Sequence, residues 1–189
     1  MAQKLSEISQ DNVVVAREVL RLGDRGLRVR SQPVTDPAHS DIQELIDQLM
    51  VTAAARSGVG IAAPQVGIRR QLFVVASRPN ARYPDAPLMT PTALINPAIT
   101  ATSADTALGW EGCLSVPGWR GQVRRAQQIE VTYLDRQGRA QRRVFSDFVA
   151  RIIQHEFDHL NGTLFLDRIE HTDHLLSEVD YQARFPVLA

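Results

Sequence analysis

The chain has 189 residues, of which 44% are hydrophobic and 22% charged, so it is long enough to bury a substantial core and a catalytic cleft. Lys and Arg total 21, as do Asp and Glu, and this balance excludes the positive field that holds nucleic acid or an anionic membrane. Cys113 is the single cysteine, which excludes an internal disulfide framework. No apolar run approaches the ~20 residues that span a bilayer. Residues 1–12 have no apolar secretory core, and we expect a cytoplasmic protein.

The first predicted element is a helix. It is expected to start after Asp36-Pro37 or at Ser40, because both positions offer capping residues. Apolar residues then recur at helical spacing from 42 to 53, until Gly58 ends the pattern.

Two short buried strands are predicted next, at residues 72–76 and 93–96. Proline cannot donate to a strand ladder, so we expect Pro97 to stop the second strand. The stretch between them, 77–91, is rich in Pro, Asn and Asp and is predicted to be a surface loop.

A hairpin and a second helix follow. Residues 129–134 alternate in polarity, and a turn over 135–138 leads to a strand that ends near Phe145. A helix is expected to begin near Ser146-Asp147 and to stop at Asn161-Gly162. This helix is apolar on most of its circumference, so it is predicted to lie inside the protein.

A third helical stretch, residues 173–184, is weaker and amphipathic. Helices inserted among antiparallel strands indicate an α+β fold with a buried helix surrounded by mostly antiparallel sheets. We expect a single domain over 1–189, with 170–189 as a C-terminal tail or short helix.

The second predicted helix carries a metal-binding pattern, His-Glu-x-x-His. Residues four apart share a helix face, so His155 and His159 can converge on one ion, while Glu156 reaches only a water in front of it. Asp158 is rotated away from both histidines, and we expect it to accept a hydrogen bond or pair with an arginine. Two histidines and a glutamate on a buried helix need a compensating partner, which a metal supplies.

Two histidines leave the metal short of one ligand. His171 and His174 follow the helix but lie in a polar segment, where they are predicted to be solvated. An isolated cysteine is usually a small buried hydrophobe. Beside the two-histidine helix, however, Cys113 completes a Cys-His-His set that leaves the fourth tetrahedral position open for water.

A third motif, Gly58 to Gln65, combines glycines, which let a ligand approach the backbone, with an amide donor at its end. Taken alone, this motif is better explained as a turn from helix to strand with an exposed glutamine. From the residues alone, three other interpretations of the chain stay open. It could be a zinc endopeptidase, a metal- or peptide-binding protein without catalysis, or a protein in which the histidine-containing helix is ordinary core without metal.

Together the three motifs resemble those of the peptide deformylases. They are Gly58 to Gln65, Glu111 to Ser115 and Gln154 to Leu160, in the family's order and at similar separations. The resemblance implies the fold of that family and a metal-dependent hydrolase that removes the formyl group from the N-terminal formyl-methionine of new polypeptides. Nascent peptides are then its partners, with the ribosome expected by analogy.

The resemblance also implies a metal centre. Cys113, His155 and His159 become the ligands of one divalent ion, and Glu156 becomes the catalytic acid and base. Thiolate and imidazole ligands alone suggest zinc. The resemblance implies Fe²⁺ first, with Zn²⁺, Ni²⁺ or Co²⁺ able to replace it.

Five further residues take roles from the resemblance. The side-chain amide of Gln65 and the backbone N–H of Leu114 bind the developing oxyanion, and Gly60 holds the substrate backbone. Val59 matches a position that lines the methionine pocket. Arg120 matches a position near the far end of the bound peptide.

The chain departs from the better-known bacterial pattern in two places. Gly109-Trp110 precedes the cysteine motif, and Ala150-Arg151 precedes the Ile-Ile-Gln of the metal helix; both pairs resemble the subgroup found in organelles and some bacteria. A large Trp110 and a charged Arg151 are expected near the pocket wall. The segment after Ile169 does not match the long terminal helix of some members.

Overall fold

The computed structural model of the protein describes residues 14–185. Its helices are α1 (Ser40–Ala55), α2 (Asp147–Leu160) and α3 (Glu178–Arg184). Its strands are β1 (Gly60–Ala62), β2 (Leu72–Val75), β3 (Thr92–Thr102), β4 (Thr106–Cys113), β5 (Val116–Ala126), β6 (Gln128–Leu134), β7 (Ala140–Ser146) and β8 (Leu175–Ser177). The predicted lack of a secretory signal in residues 1–12, and the end of the predicted tail at 186–189, lie outside the described residues.

The strands form two open antiparallel sheets. One has the order β1-β2-β3-β6-β7 and the other the order β4-β5-β8. Helix α2 contacts strands of both sheets, and eight of its 14 residues are buried. The predicted α+β fold, with a buried helix among antiparallel sheets, is thereby confirmed.

Helix α1 begins at Ser40, one of the two predicted starts, but neither predicted capping residue caps it. The cap is His39, whose Nδ1 accepts a hydrogen bond from the Asp41 backbone N–H at 3.2 Å. The Asp36 side chain instead accepts from Ala38 N within the preceding turn. The helix ends at Ala55 with Arg56 as its cap, shortly before the predicted stop at Gly58, whose N–H donates to Ala53 O at 2.8 Å.

The prediction that Pro97 stops its strand is wrong. Strand β3 continues through Pro97 to Thr102, because the pairing with β6 shifts register between Ile95 and Ala98. Asn96, next to the proline, has a φ of 49°. A local bulge of this kind leaves the proline outside the ladder and lets the strand resume beyond it.

The β6–β7 hairpin and helix α2 lie where they were predicted, and Gly162 after α2 has the left-handed φ of 73° that ends a helix. The third helix begins later than predicted, because residues 175–177 pair with β5 as β8. Residues 77–91 are irregular, as expected. Within residues 14–185, no helix combines the length and apolar character that crossing a bilayer requires.

Candidate active site and metal centre

Three separated segments meet at one pocket beside α2. Strand β1 and the 3-10 turn after it supply Gly60 and Gln65, and the end of β4 supplies Cys113. Helix α2 supplies His155 and Glu156. All five residues line the same pocket, together with Val59 and Leu114.

The ligand cluster consists of Cys113, His155 and His159, which are all buried. One ligand atom from each lies within 4.8 Å of those of the other two. Cys113 Sγ lies 3.3 Å from His159 Nε2, and the two imidazole rings are 5.0 Å apart. The thiol distant in sequence therefore joins the two histidines, and the cluster has the geometry to hold a metal ion.

The chemistry of these donors also fits a metal. His155 Nδ1 is hydrogen-bonded to Glu111 Oε2 at 2.8 Å, which leaves the other ring nitrogen available as a ligand. Burial raises the pKa of the Cys113 thiol, but the charges and hydrogen bonds of His159 and His155 outweigh burial and hold this pKa well below its usual range. The sulfur and the Glu111 carboxylate in turn raise the pKa of His155 against the opposing effect of burial. The cluster therefore favours positive charge at its centre, which a divalent cation supplies.

Glu156 is buried beside the ligand cluster, with 4% of its surface exposed. Burial raises the pKa of this carboxyl to about 7. Its Oε2 has no hydrogen-bond partner among the described residues. A Cβ at Gly60 would lie 2.6 Å from Glu156 Oε1, so this position has room only for glycine. An unpaired buried carboxylate oxygen is costly unless a ligand or water completes it.

Gln65 is held in one orientation by its neighbours. Its Oε1 accepts a hydrogen bond from Ala62 N at 2.8 Å, and its Nε2 donates to Ser115 Oγ at 3.1 Å. The same amide nitrogen lies 3.4 Å from Cys113 Sγ, so it faces the ligand cluster. Ser115 was not singled out from the sequence, although it lies within the cysteine motif.

Arg120 is placed differently from the other predicted substrate-binding residues. Its side chain lines a neighbouring groove and is 1% exposed. Its Nε and Nη2 donate to Glu178 at 2.8 and 3.0 Å. Trp110 and Arg151 do line the pocket, as expected. His171 and His174 pair with each other at 5.2 Å between ring centroids and are not part of the ligand cluster.

An ion-pair network of Glu111, Arg125, Arg151, Asp158 and Arg168 supports the cluster. Arg125 bridges Glu111 and Asp158, at 2.9 and 2.6 Å. Burial raises the pKa of Glu111, but hydrogen bonds from His155 and Arg125 outweigh this and hold it below its usual range. The predicted pairing of Asp158 with an arginine is confirmed, by Arg125 and by Arg168. Arg125 was missed, because a single arginine on a strand gives no sequence signal.

Arg151 fixes the metal helix to the β4–β5 hairpin. Its guanidinium donates to Glu111 Oε1 at 3.0 Å and to the carbonyls of Val123 and Ala107, both at 2.7 Å. A Cβ at Gly109 would lie 2.8 Å from the guanidinium carbon. The two departures noted in the sequence, Gly109 and Arg151, are therefore complementary in space.

The family model for polypeptide deformylase matches residues 16–174 of this chain. The chain belongs to the polypeptide deformylase family. It is therefore an enzyme of the class that removes formyl groups from nascent peptides.

Named relatives agree with the polypeptide deformylase assignment. The chain is 54% identical over 164 residues to peptide deformylase 2 of Nostoc sp., covering 87% of this chain and 92% of the relative. A Met-Ala-Ser-bound crystal structure of class I type b peptide deformylase from Acinetobacter baumannii superposes with a TM-score of 0.80 at 47% identity, covering 82% of this chain and 99% of that one. A peptide deformylase from Synechococcus elongatus in complex with actinonin gives a TM-score of 0.74 at 41% identity, with coverages of 84% and 81%.

Proposed function

We propose that this polypeptide deformylase hydrolyses the formyl group of N-formyl-methionyl peptides, with Glu156 as the catalytic acid and base. The observation that carries the proposal is the convergence of the Cys113, His155 and His159 ligand atoms beside a buried Glu156 whose Oε2 is unpaired among the described residues. The substrate is a new polypeptide in the cytoplasm, met at the ribosome, and one domain over 1–189 carries the activity.

Cys113, His155 and His159 would hold the metal of this enzyme. Their thiolate and imidazole donors suit several divalent transition metals. We propose Fe²⁺, with Zn²⁺, Ni²⁺ or Co²⁺ as functional replacements. A divalent ion bound there supplies Lewis acidity toward the attacking water and the formyl oxygen.

Glu156 moves the proton in this scheme. Its carboxylate accepts a proton from the attacking water and then donates it to the departing amine. The residue lies next to His155 on the buried helix, so it reaches the reacting water without occupying a ligand position.

Gln65 and Leu114 stabilise the charge that develops on the formyl oxygen. The Gln65 amide already faces Cys113, and its orientation is fixed by Ala62 N and Ser115 Oγ. The backbone N–H of Leu114 is the second donor. A single donor of this kind is typically worth about 3 to 4 kcal/mol in the transition state.

The remaining pocket residues select the substrate. Gly60 brings the backbone close to Glu156, and we propose that it holds the substrate main chain. Val59 lines the same pocket and contacts the methionine side chain. Arg120 lies in the adjoining groove, toward the far end of the peptide.

The test is a formate assay on formyl-Met-Ala-Ser with Glu156→Gln protein, alongside metal quantification. We expect turnover to fall by about 10²- to 10⁴-fold while metal content stays at the wild-type level. Glu170→Gln is the matched control, because Glu170 is a half-exposed glutamate paired with Arg124 away from the pocket. Full activity of the Glu156 variant would contradict the assigned proton carrier. Cleavage of internal peptide bonds by the wild type, without formate release, would favour an endopeptidase.

A further inference from the structure

The C-terminal segment, residues 175–185, lies beyond the part of the chain that the family model matches, yet it packs against the active-site pocket. Its β8 pairs with β5, and α3 follows directly. Tyr181 and Phe185 pack on Trp110, with ring centroids 5.3 and 5.8 Å away. Because Trp110 lines the pocket, the C-terminal segment supports a wall of the catalytic cleft.

Arg120 clamps this segment to the loop of residues 77–91. Its guanidinium carbon lies 5.1 Å from the Tyr83 ring centroid on one side and 5.0 Å from the Tyr181 ring centroid on the other. The same guanidinium holds Glu178 in a bidentate ion pair, which is a geometrically specific arrangement. Its Nη1 is buried and has no hydrogen-bond partner among residues 14–185.

A groove of about 1110 Å³ runs between the loop and α3. Tyr83, Arg82 and Phe148 line both this groove and the active-site pocket, so the two are adjacent. A peptide whose first residue occupies the pocket has to continue into neighbouring space, and an extended chain advances about 3.3 Å per residue. The groove is the adjacent space into which such a peptide would extend.

The charged residues of the groove leave a small positive excess. Arg120 and Glu178 neutralise each other, and of the remaining charged residues that line the groove, Arg82 and Arg184 outnumber the single acid Asp85. None of these last three forms a salt bridge within the described part of the chain. Negatively charged groups on a ligand would therefore be favoured over positively charged ones in this groove.

We propose that the C-terminal segment is a specificity element: the peptide downstream of the formylated residue lies in this groove, against Tyr181, and acidic side chains are preferred there over basic ones. Glu178 is a positioning residue that acts through Arg120. The inference rests on the proposed function and adds to it a preference for longer, acidic substrates.

The first experiment compares a short substrate, formyl-Met-Ala amide, with a long one, formyl-Met-Ala-Ser-Glu-Ala amide. Tyr181→Ala is expected to raise KM for the long substrate by about 5- to 10-fold more than KM for the short substrate, because the lost packing on Trp110 affects both substrates alike and the lost groove contact affects only the long one. Val179→Ala is the control, since Val179 lies on the same helix but is 76% exposed. Equal effects of Tyr181→Ala on both substrates would overturn the proposal.

A second variant keeps the proposal testable if Tyr181→Ala folds poorly. Wild type should favour the Glu-containing peptide over its Lys counterpart by roughly two- to fivefold in kcat/KM. Arg184→Glu, an exposed substitution, should abolish or reverse that preference. An unchanged preference in this variant would overturn the proposal. Absence of formate release from the short peptide by the wild type would instead contradict the proposed function.

Discussion

Two buried polar groups of opposite character, the ligand cluster and the ion-pair network, meet at helix α2. The ligand cluster, with Glu156 beside it, leaves Glu156 Oε2 and His159 Nδ1 without hydrogen-bond partners among the described residues. In the ion-pair network beside the same helix, Arg125, Arg151 and Arg168 surround Glu111 and Asp158 with donors at 2.6 to 3.1 Å.

The difference separates groups that react from groups that support. A buried charge with every hydrogen bond satisfied is fixed and has nothing left to offer a ligand. A buried carboxylate or imidazole with an unused atom is stable only when something else completes it. In this protein the ligand cluster and Glu156, whose hydrogen bonds are incomplete, face the pocket. The ion-pair network, whose hydrogen bonds are complete, holds His155 in place through Glu111.

The largest effect is expected from removing the thiolate. Cys113→Ser should lose bound metal and, with it, formate release, because a serine hydroxyl does not ionise as the thiol does and is a poor ligand for these metals. Metal analysis of the anaerobically purified variant measures this. The wild type should gain thermal stability from added metal, since an ion that binds only the folded state stabilises it. The same thermal gain in the variant would contradict the ligand assignment.

Removing the centre of the ion-pair network should chiefly affect folding. Arg125→Met leaves Glu111 and Asp158 buried with fewer partners, and we expect the free energy of unfolding to fall by about 3 to 5 kcal/mol. Denaturant titration at a fixed metal concentration gives the value. Arg142→Met is the matched control, because the Arg142–Glu130 pair lies at the surface and should leave stability unchanged.

A smaller effect is expected at the contact between the ion-pair network and the ligand cluster. Glu111→Gln removes the charged partner of His155 Nδ1, and metal affinity should fall about 10- to 100-fold, the typical cost of losing an outer partner of a ligand. Competition with a chelator reports the affinity without reference to activity. Unaltered affinity would mean that the network supports the fold but not the metal site.

The sequence was most informative where local signals agree. Helix α2 was placed correctly because its apolar pattern, its start near Asp147 and its Asn161-Gly162 stop are all local. The β4–β5 hairpin was missed, although it carries Cys113, because its strands are rich in glycine and arginine and do not alternate clearly. The Pro97 error has a similar origin, since a bulge depends on pairing with another strand.

The site shows the same limit. The two histidines four residues apart identified one face of a helix. Cys113 was added as the third ligand after His171 and His174 had been set aside, and the resemblance of three motifs supported it, but no local pattern shows how the thiol approaches the rings. The partners of Glu111 and Arg120 depend on which strands and helices lie side by side. No pattern along the chain identifies Arg125 as the partner of Glu111, or Glu178 as the partner of Arg120.

The contacts at the C-terminal end of α2 determine the direction in which the His155 and His159 rings point. A Cβ at Gly162 would lie 2.7 Å from the carbonyl carbon of Arg28, and Ser31 N donates to Leu160 O at 2.8 Å. The segment of residues 28–31 thus fixes the rotation of α2 about its own axis. A turn of ten degrees about its axis would swing a ring tip through about 1 Å, several times the ~0.2 Å tolerance of a coordination bond. Bulk at position 162 would therefore misdirect His155 and His159 from a distance, without touching either ring.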